Sequence, residues 1–455
     1  MADSSSRPYI QESEGHHRRL TRIVHFTHST TKAAGVMLLA AIAAFVIANS
    51  PLYPQFLHFW HADVTFGVGS SVHTMSLAHI VNDVLMAVFF LLVGLEIKYE
   101  MTVGALTDWR QALLPAAAAV GGVAAPIVIF LLFTAGSEAA SGWGVPTATD
   151  IAFALGILAL LGSRVPTGLK VFLSTLAVVD DIIAILVIAI FYGEAPDFMW
   201  LGGAAVVLCA LALVNRKHVY SLVPYLGLGV LLWLCVFMSG VHSTIAGVLL
   251  AFTIPCRTNV NMAYFHEWSL RKLREAEKAF DPGALVVGQH EFLETVREIA
   301  KVTRHVVPPA ARLEMRLHPW VYFAILPLFA LTNADVCLVD GTLGNPFSNP
   351  ALYGVFFGLV LGKPIGIMLV SFIMVKAGVV GLPENTTWGH MLGAAVLAGV
   401  GFTMAIFVAN LAFVDAATIT IAKAAILTAS LVAGIAGFLI LFLQAKKEPE
   451  SDGQL

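Results

Sequence analysis

The chain has 455 residues, of which 58% are hydrophobic and 12% charged, with a formal net charge of -3 and a mean hydropathy of +0.83. Soluble domains carry about 25% charged residues, so half of the usual solvated surface is missing, which excludes an ordinary soluble enzyme, a disulfide-stapled secreted scaffold and a disordered tail protein. The near-neutral charge shows no bias toward nucleic acid. The four cysteines (Cys209, Cys235, Cys256, Cys337) lack metal or disulfide spacing. Cys209 and Cys235 lie in apolar runs, and all four read as packing residues.

A helix that spans a bilayer needs about 20 apolar residues. In chain order such runs occur at 31–49, 76–100, 111–134, 143–161, 167–193, 198–214, 220–237, 239–254, 318–334, 351–375, 389–414 and 418–444. The expected class is therefore an all-α membrane protein with about twelve transmembrane helices. The 220–254 stretch fits either one long helix or two short ones. Residues 1–30 are too long and polar for a signal-peptide n-region and read as a cytoplasmic segment, with 31–445 the polytopic domain and 446–455 a tail.

Charge placement gives an orientation. Arg7, Arg18, Arg19 and Arg22 precede the first run, Lys98 and Arg110 follow the second, Arg164 and Lys170 the fourth, and Arg216 and Lys217 the sixth. Ten basic residues lie from Arg257 to Arg316, Lys376 follows the tenth run, and Lys446 and Lys447 close the twelfth. The intervening connections (51–75, 135–142, 194–197, 335–350 and 415–417) contain no Lys or Arg. The positive-inside rule then expects both termini in the cytoplasm and an even number of crossings. The mixed-charge stretch 256–316 reads as one or two surface helices, with Phe292, Val296 and Ile299 as an apolar stripe, and serves as a linker or a regulatory segment. In DVTFGVG, Val64, Phe66 and Val68 alternate with small or polar residues as in a short strand or hairpin.

Several ionisable residues stand where lipid would penalise them. Asp83, Asp150, Asp180, Asp181 and Lys363 lie inside the apolar runs, with Glu96 and Glu100 near a helix end. A central Asp or Lys costs about 2.5–3.5 kcal/mol on the insertion scale, so three acids on consecutive helices imply a use. Asp83, in SLAHIVND, also fits a place near the interface. Asp180 and Asp181 point about 100° apart on a helix, so they cannot share one face. Lys363, in LVLGKPIG, is the expected partner of Asp180 or of Asp150, whereas Lys423 sits near a helix start and can snorkel. Three carboxylates and one ammonium sum to -2. Two protons bring that sum to zero and one monovalent metal ion leaves -1, which fits a proton-for-cation exchanger.

Two runs look broken. In the fourth, Gly142, Gly144 and Pro146 lead into Thr147-Ala148-Thr149-Asp150, and the following IAFALGILALL is too short to cross alone. The eleventh has Gly399 and Gly401 before GFTMAIF, with Thr403 in the matching place. Interrupted helices leave carbonyls and amides at membrane depth, where protein or water must satisfy them and where they can offset charge. Breaks in the second member of two three-helix groups suggest an inverted repeat.

PTATDIAFALGILALLGSRVP, LAVVDDIIAILVIAIFY, VNDVLMAVFFLLVGLEIKYE, GVHSTIAGVL, LHPWVYFAILPLFALTNA, LGKPIGI and GVGFTMAIF together resemble the motifs of the NhaA-type sodium/proton antiporters. The resemblance runs from about residue 20 to 445, interrupted by the soluble segment. It implies a twelve-helix fold in which the fourth and eleventh helices are broken and cross near the membrane centre. It further implies Asp181 as the main sodium carboxylate and Asp180 as a second carboxylate that exchanges a proton for a salt bridge to Lys363. Thr149 and Asp150 then support the ion and offset helix-end charge, and Lys363 also answers exposed carbonyl ends. Glu96, Glu100, Glu314 and His242 fall where the family places groups linked to pH response, and the hairpin within 51–75 where it forms dimers. The long 256–316 segment is the departure from the family pattern.

The function expected on these grounds is secondary transport in a bacterial-type inner membrane. Na⁺ (or Li⁺) leaves in exchange for protons, two per ion, electrogenically and faster at alkaline pH. No cofactor is expected, and GxxxxGK[ST] is absent because Pro364 follows the Gly-Lys pair. A proton-coupled transporter of another small or organic ion is the main alternative. An intramembrane aspartyl protease would need its acids to face one another, and a passive channel would need no proton coupling.

Overall fold

The computed structural model describes residues 29–68, 71–107, 109–193, 196–257, 261–337 and 346–445. The polar segment 1–28, Asp108 and the tail 446–455 lie outside the described residues. The apolar runs fold as helices because, without water, only a helix or a closed barrel satisfies every backbone group. Helix α1 (Thr30–Ala48) is followed by the short α2 (Tyr53–Trp60). The expected hairpin comes next, with β1 (Asp63–Val68) antiparallel to β2 (Ser71–Ser76) and Asp63 opposite Ser76. Helix α3 (Leu77–Thr102) starts on a Ser76 cap that accepts from the His79 N–H at 3.2 Å, and it carries a wide π turn at Ile80–Leu85.

Helix α4 (Trp109–Thr134) leads to the first break, where a tight helical stretch (Glu138–Thr147) gives way to extended backbone and then to α5 (Ile151–Leu160). After α6 (Thr167–Phe191) and α7 (Phe198–Arg216), the 220–254 stretch resolves into two helices, α8 (Leu222–Met238) and α9 (Thr244–Thr253). Gly240, at φ 78°, makes the turn between them, a conformation that costs glycine nothing. The soluble segment holds α10 (Met262–Ala279) and α11 (His290–Val306). Then come α12 (residues 309–333), α13 (Pro350–Lys376), the second broken pair α14 (Trp388–Leu397) and α15 (Phe402–Ala412), and α16 (Ala416–Ala445).

Among the described residues seven helices are long and apolar enough to cross a membrane, and counting each bent pair as a span makes nine. The pairs bend by 43° and 46° at their breaks. The other three expected segments are helical, but α8 and α9 fall short of that length and α12 begins with a polar half.

The two three-helix groups, α4 to α6 and α13 to α16, share one order, and their first members run antiparallel. A Cβ on Gly121 would come 2.5 Å from the carbonyl oxygen of Gly366, whereas farther along α4 the side chain of Phe130 faces Gly354. As the α4 numbers rise, the α13 numbers fall. Equivalent helices of opposite sense are what an inverted repeat requires, and glycines let the backbones approach closely, as is usual between membrane helices.

Two expectations are corrected. Cys209 is exposed on α7, because the helix presents that face outward; Cys235 and Cys337 are buried and Cys256 is half-buried. The stripe on α11 excludes Val296, which is exposed. Phe292, Thr295 and Ile299 form the inner face, since Phe280, just past the end of α10, covers that side through a ring contact with Phe292 at 5.1 Å.

Candidate ion site

The site begins with the extended chain at the first break. Asp150 turns the backbone into α5 and caps it, its Oδ1 accepting from the Phe153 N–H at 3.0 Å. Its N–H donates to the Val400 carbonyl at 2.7 Å, so the two interrupted helices cross by a backbone hydrogen bond between their breaks. From the second break, the N–H of Thr403 donates to Asp150 Oδ2 at 3.2 Å and the Thr403 hydroxyl to the same oxygen at 2.5 Å. One carboxylate therefore faces the N-terminal, partially positive ends of both half-helices α5 and α15. Asp150 and Thr403 are 2% and 1% exposed, a burial tolerable because each is fully engaged.

Thr149 joins this crossing to the lysine. Its hydroxyl donates to the Ala398 carbonyl at 2.9 Å and accepts from Lys363 Nζ at 2.6 Å. Lys363 also donates to Asp180 Oδ2 at 2.5 Å, so the partner left open by the sequence is Asp180, and not Asp150. The lysine reaches the exposed carbonyl end of the second break through Thr149 rather than directly. Lys363 follows a wide π turn (Gly358–Gly362) in α13, which aims its side chain across to α6.

Asp180 and Asp181 are both buried and diverge as neighbours on a helix must. Asp180 turns to Lys363. Asp181 lies within electrostatic reach of Asp180, Glu96, Asp150 and Lys363. Oδ1 of Asp180 and Oδ1 of Asp181 are buried without a hydrogen-bond partner. Orphaned carboxylate oxygens at this depth call for a proton or a hard cation. The acids do not converge on a point: among the described residues no three His, Cys, Asp or Glu side chains form a metal-holding cluster. The formal charge of the group remains -2. On the α3–α5–α6 side a cavity of about 440 Å³ is lined by Glu100, Lys170 and Thr175. Thr175 stands six residues before Asp181 on α6, roughly 9 Å along the helix.

The four candidates for pH response fall into two groups. Glu96 lies in the field of Glu314 and Glu100, beside the buried Tyr322. His242 belongs elsewhere, with Nε2 2.5 Å from the Tyr192 carbonyl at the end of α6. Its neighbour Ser243 donates to Asp83, which also pairs with His79 at 3.3 Å. Asp83 and Glu96 are thirteen residues apart on α3, roughly 20 Å.

Sequence reasoning missed several polar partners. Tyr322 lay unremarked inside a quoted motif, LHPWVYF. Ser430 of α16 accepts the Phe402 N–H at 3.1 Å and so closes the start of α15. Asn333 donates to Asn82 at 2.8 Å and accepts from Asn410 at 2.7 Å, tying α12, α3 and α15 together. Lys98 donates to the Phe252 carbonyl at 2.8 Å and to that of Ile254, closing the end of α9. An amide or serine within an apolar run was the available signal for Ser430 and the three asparagines.

The sequence pattern of the family Na+/H+ antiporter 1 matches residues 24–441. The Na(+)/H(+) antiporter NhaA of Wolinella succinogenes is 41% identical over 438 residues, 94% of this chain and 95% of that protein. The NhaA of Helicobacter pylori strain P12 is 45% identical over 426 residues, 93% of this chain and 95% of that protein. A solved sodium/proton antiporter of Methanocaldococcus jannaschii aligns at a TM-score of 0.47 and 11% identity, over 94% of this chain and 99% of that one, a likeness too low to bear on the fold. By the extent of the match and the identity of these relatives, the chain belongs to the Na+/H+ antiporter 1 family.

Proposed function

We propose that the chain carries Na⁺ across a membrane in exchange for protons, with Asp181 and Asp180 as the carboxylates that take either load. The observation that carries this reading is the pair of buried neighbouring carboxylates Asp180 and Asp181, each with an oxygen that has no hydrogen-bond partner, beside the buried Lys363 and the Thr149–Asp150 crossing. The names of the relatives, Na(+)/H(+) antiporters, support the same chemistry.

In this mechanism the Lys363–Asp180 bridge is the arrangement taken after Asp180 gives up its proton. Two protons, one on each of Asp180 and Asp181, neutralise the group and free Lys363 from Asp180. Na⁺ approaching from the cytoplasm displaces both protons; Asp181 ligates the ion and Asp180 turns to Lys363. The protein reorients, releases Na⁺ outside and takes up two protons there. Two protons in for one Na⁺ out moves one net charge, so the exchange is electrogenic. Li⁺, an equally hard monovalent cation, uses the same oxygens. Asp150 stays ionised between two half-helix N-termini and holds the crossing together with Thr403. Thr149 couples that crossing to the lysine.

Protons and Na⁺ compete for the same oxygens. Acid therefore favours the protonated, metal-free form, and exchange rises toward alkaline pH. Glu96, Glu100 and Glu314, of which Glu100 lines the 440 Å³ cavity, form the cytoplasmic part of the pH response, and His242 acts at the opposite end. The working membrane is a bacterial inner membrane with both termini in the cytoplasm, and the hairpin from Asp63 to Ser76 pairs two copies.

The test is Na⁺-driven proton movement in everted vesicles, read by dequenching of a pH dye. Wild type should dequench on Na⁺ addition and Asp181→Asn should not. Full activity of Asp181→Asn defeats the assignment.

A further inference from the structure

The soluble segment builds a second polar site that ion exchange does not use. On α11, Arg297, Lys301 and His305 recur at four-residue spacing and so share one stripe. Glu298, next to Arg297 in the chain, turns toward α10, where Lys272 Nζ meets it at 2.8 Å. The stripe is thus left to face the turn between α7 and α8. Opposite it, Arg312 of α12 donates to the Tyr220 carbonyl at 2.6 Å, and the Tyr220 ring meets the His305 ring edge-on at 5.7 Å. Between these walls lies a cavity of about 370 Å³ lined by Tyr220, Ser221, Arg297, Lys301, His305 and Arg312.

Among the described residues that line this cavity there is no carboxylate. Three permanent cations around one concavity focus a positive potential into it. Two are guanidinium groups, whose planar fork matches phosphate oxygens. Ser221 precedes α8 without closing it by a side-chain hydrogen bond, so the first N–H groups of that helix add to the same preference. The volume falls in the range of small-molecule pockets, roughly 300–1,000 Å³, and exceeds what a bare inorganic ion fills.

We propose that this cavity binds a phosphate ester, held by Arg297, Lys301 and Arg312. The ester belongs either to a soluble phosphorylated metabolite or to the headgroup of an anionic phospholipid. Leu213 and Val223, exposed at the neighbouring ends of α7 and α8, offer an acyl chain a surface beside the cavity. Once occupied, the site clamps α11 to α12, the helix that also carries Glu314 and Tyr322. The soluble segment thereby becomes a ligand-responsive element.

The experiment uses the full chain purified in uncharged detergent and, separately, in phosphatidylcholine nanodiscs with and without phosphatidylglycerol. Two probes are titrated: pyrophosphate by calorimetry, and phosphatidylglycerol by native mass spectrometry. The wild type should bind one of them, and Arg297→Gln/Lys301→Gln should weaken that binding about tenfold or more at an unchanged melting temperature. Lys278→Gln, which removes an exposed cation of the same segment outside the cavity, should not weaken it. Pyrophosphate binding identifies a soluble ester, and retention of phosphatidylglycerol alone identifies the headgroup. The proposal is overturned if neither probe binds, if the double variant binds as tightly as wild type, or if Lys278→Gln weakens binding as much as the double variant does.

Discussion

Lys363 and Asp180, 183 residues apart in the chain, meet at 2.5 Å where both are about 1% exposed, and Thr149 accepts a second hydrogen bond from the same ammonium. A buried pair of this kind is costly to break from one side, because the remaining charge has no solvent. Lys363→Ala should therefore destabilise the protein by about 3–5 kcal/mol. Asp180→Asn/Lys363→Met, which removes both charges, should recover most of that loss while leaving exchange abolished. Thermal unfolding in detergent measures the first effect and vesicle dequenching the second. Equal melting temperatures for the single and double variants would contradict the pairing.

The crossing of the breaks depends on Thr403. Thr403→Val keeps the shape and removes the hydroxyl from a buried carboxylate, which should cost about 1–3 kcal/mol. Thr403→Ser restores the donor and should stay near wild type. A Val variant as stable as the Ser variant would show that Asp150 does not need this bond.

Glycine is required only at particular contacts. A Cβ on Gly366 would stand 2.0 Å from the Gly121 carbonyl oxygen, whereas one on Gly227 of α8 meets nothing within 4 Å. Gly366→Ala should force α4 and α13 apart and cost about 1–3 kcal/mol. Gly227→Ala should be neutral or stabilising by up to about 1 kcal/mol, through helix propensity. The two melting temperatures, taken side by side, check the helix contact.

If the hairpin pairs two copies, deleting residues 63–76 should leave a monomer by light scattering of the detergent complex, with exchange retained in vesicles. A dimer that persists after the deletion would place the interface elsewhere.

The helical class was legible because a length of apolar residues is a local property, and so were the breaks, marked by Gly142, Gly144, Pro146, Gly399 and Gly401. The twelve segments were less sharply set: α8 and α9 are short and α12 starts polar, so length and hydropathy mark only seven to nine spans among the described residues. Long-range partners were not legible. Helical geometry requires Asp180 and Asp181 to diverge, but which of them, or Asp150, receives Lys363 depends on how α13 packs on α6. The same holds for Thr403 with Asp150, 253 residues apart. Residue type also misled where facing matters: Cys209 and Val296 are apolar in character yet sit on outward faces, because α7 and α11 present those sides to the exterior.

The central claim is that Na⁺ and protons occupy one set of oxygens by turns. Its most direct measurement is the Na⁺ affinity of the purified protein by calorimetry, scanned from about pH 6 to about pH 9. The account predicts that affinity falls about tenfold per pH unit for each proton displaced, up to two, as the solution is acidified, and that Asp181→Asn removes the binding. A sodium affinity that stays constant across that scan would contradict it.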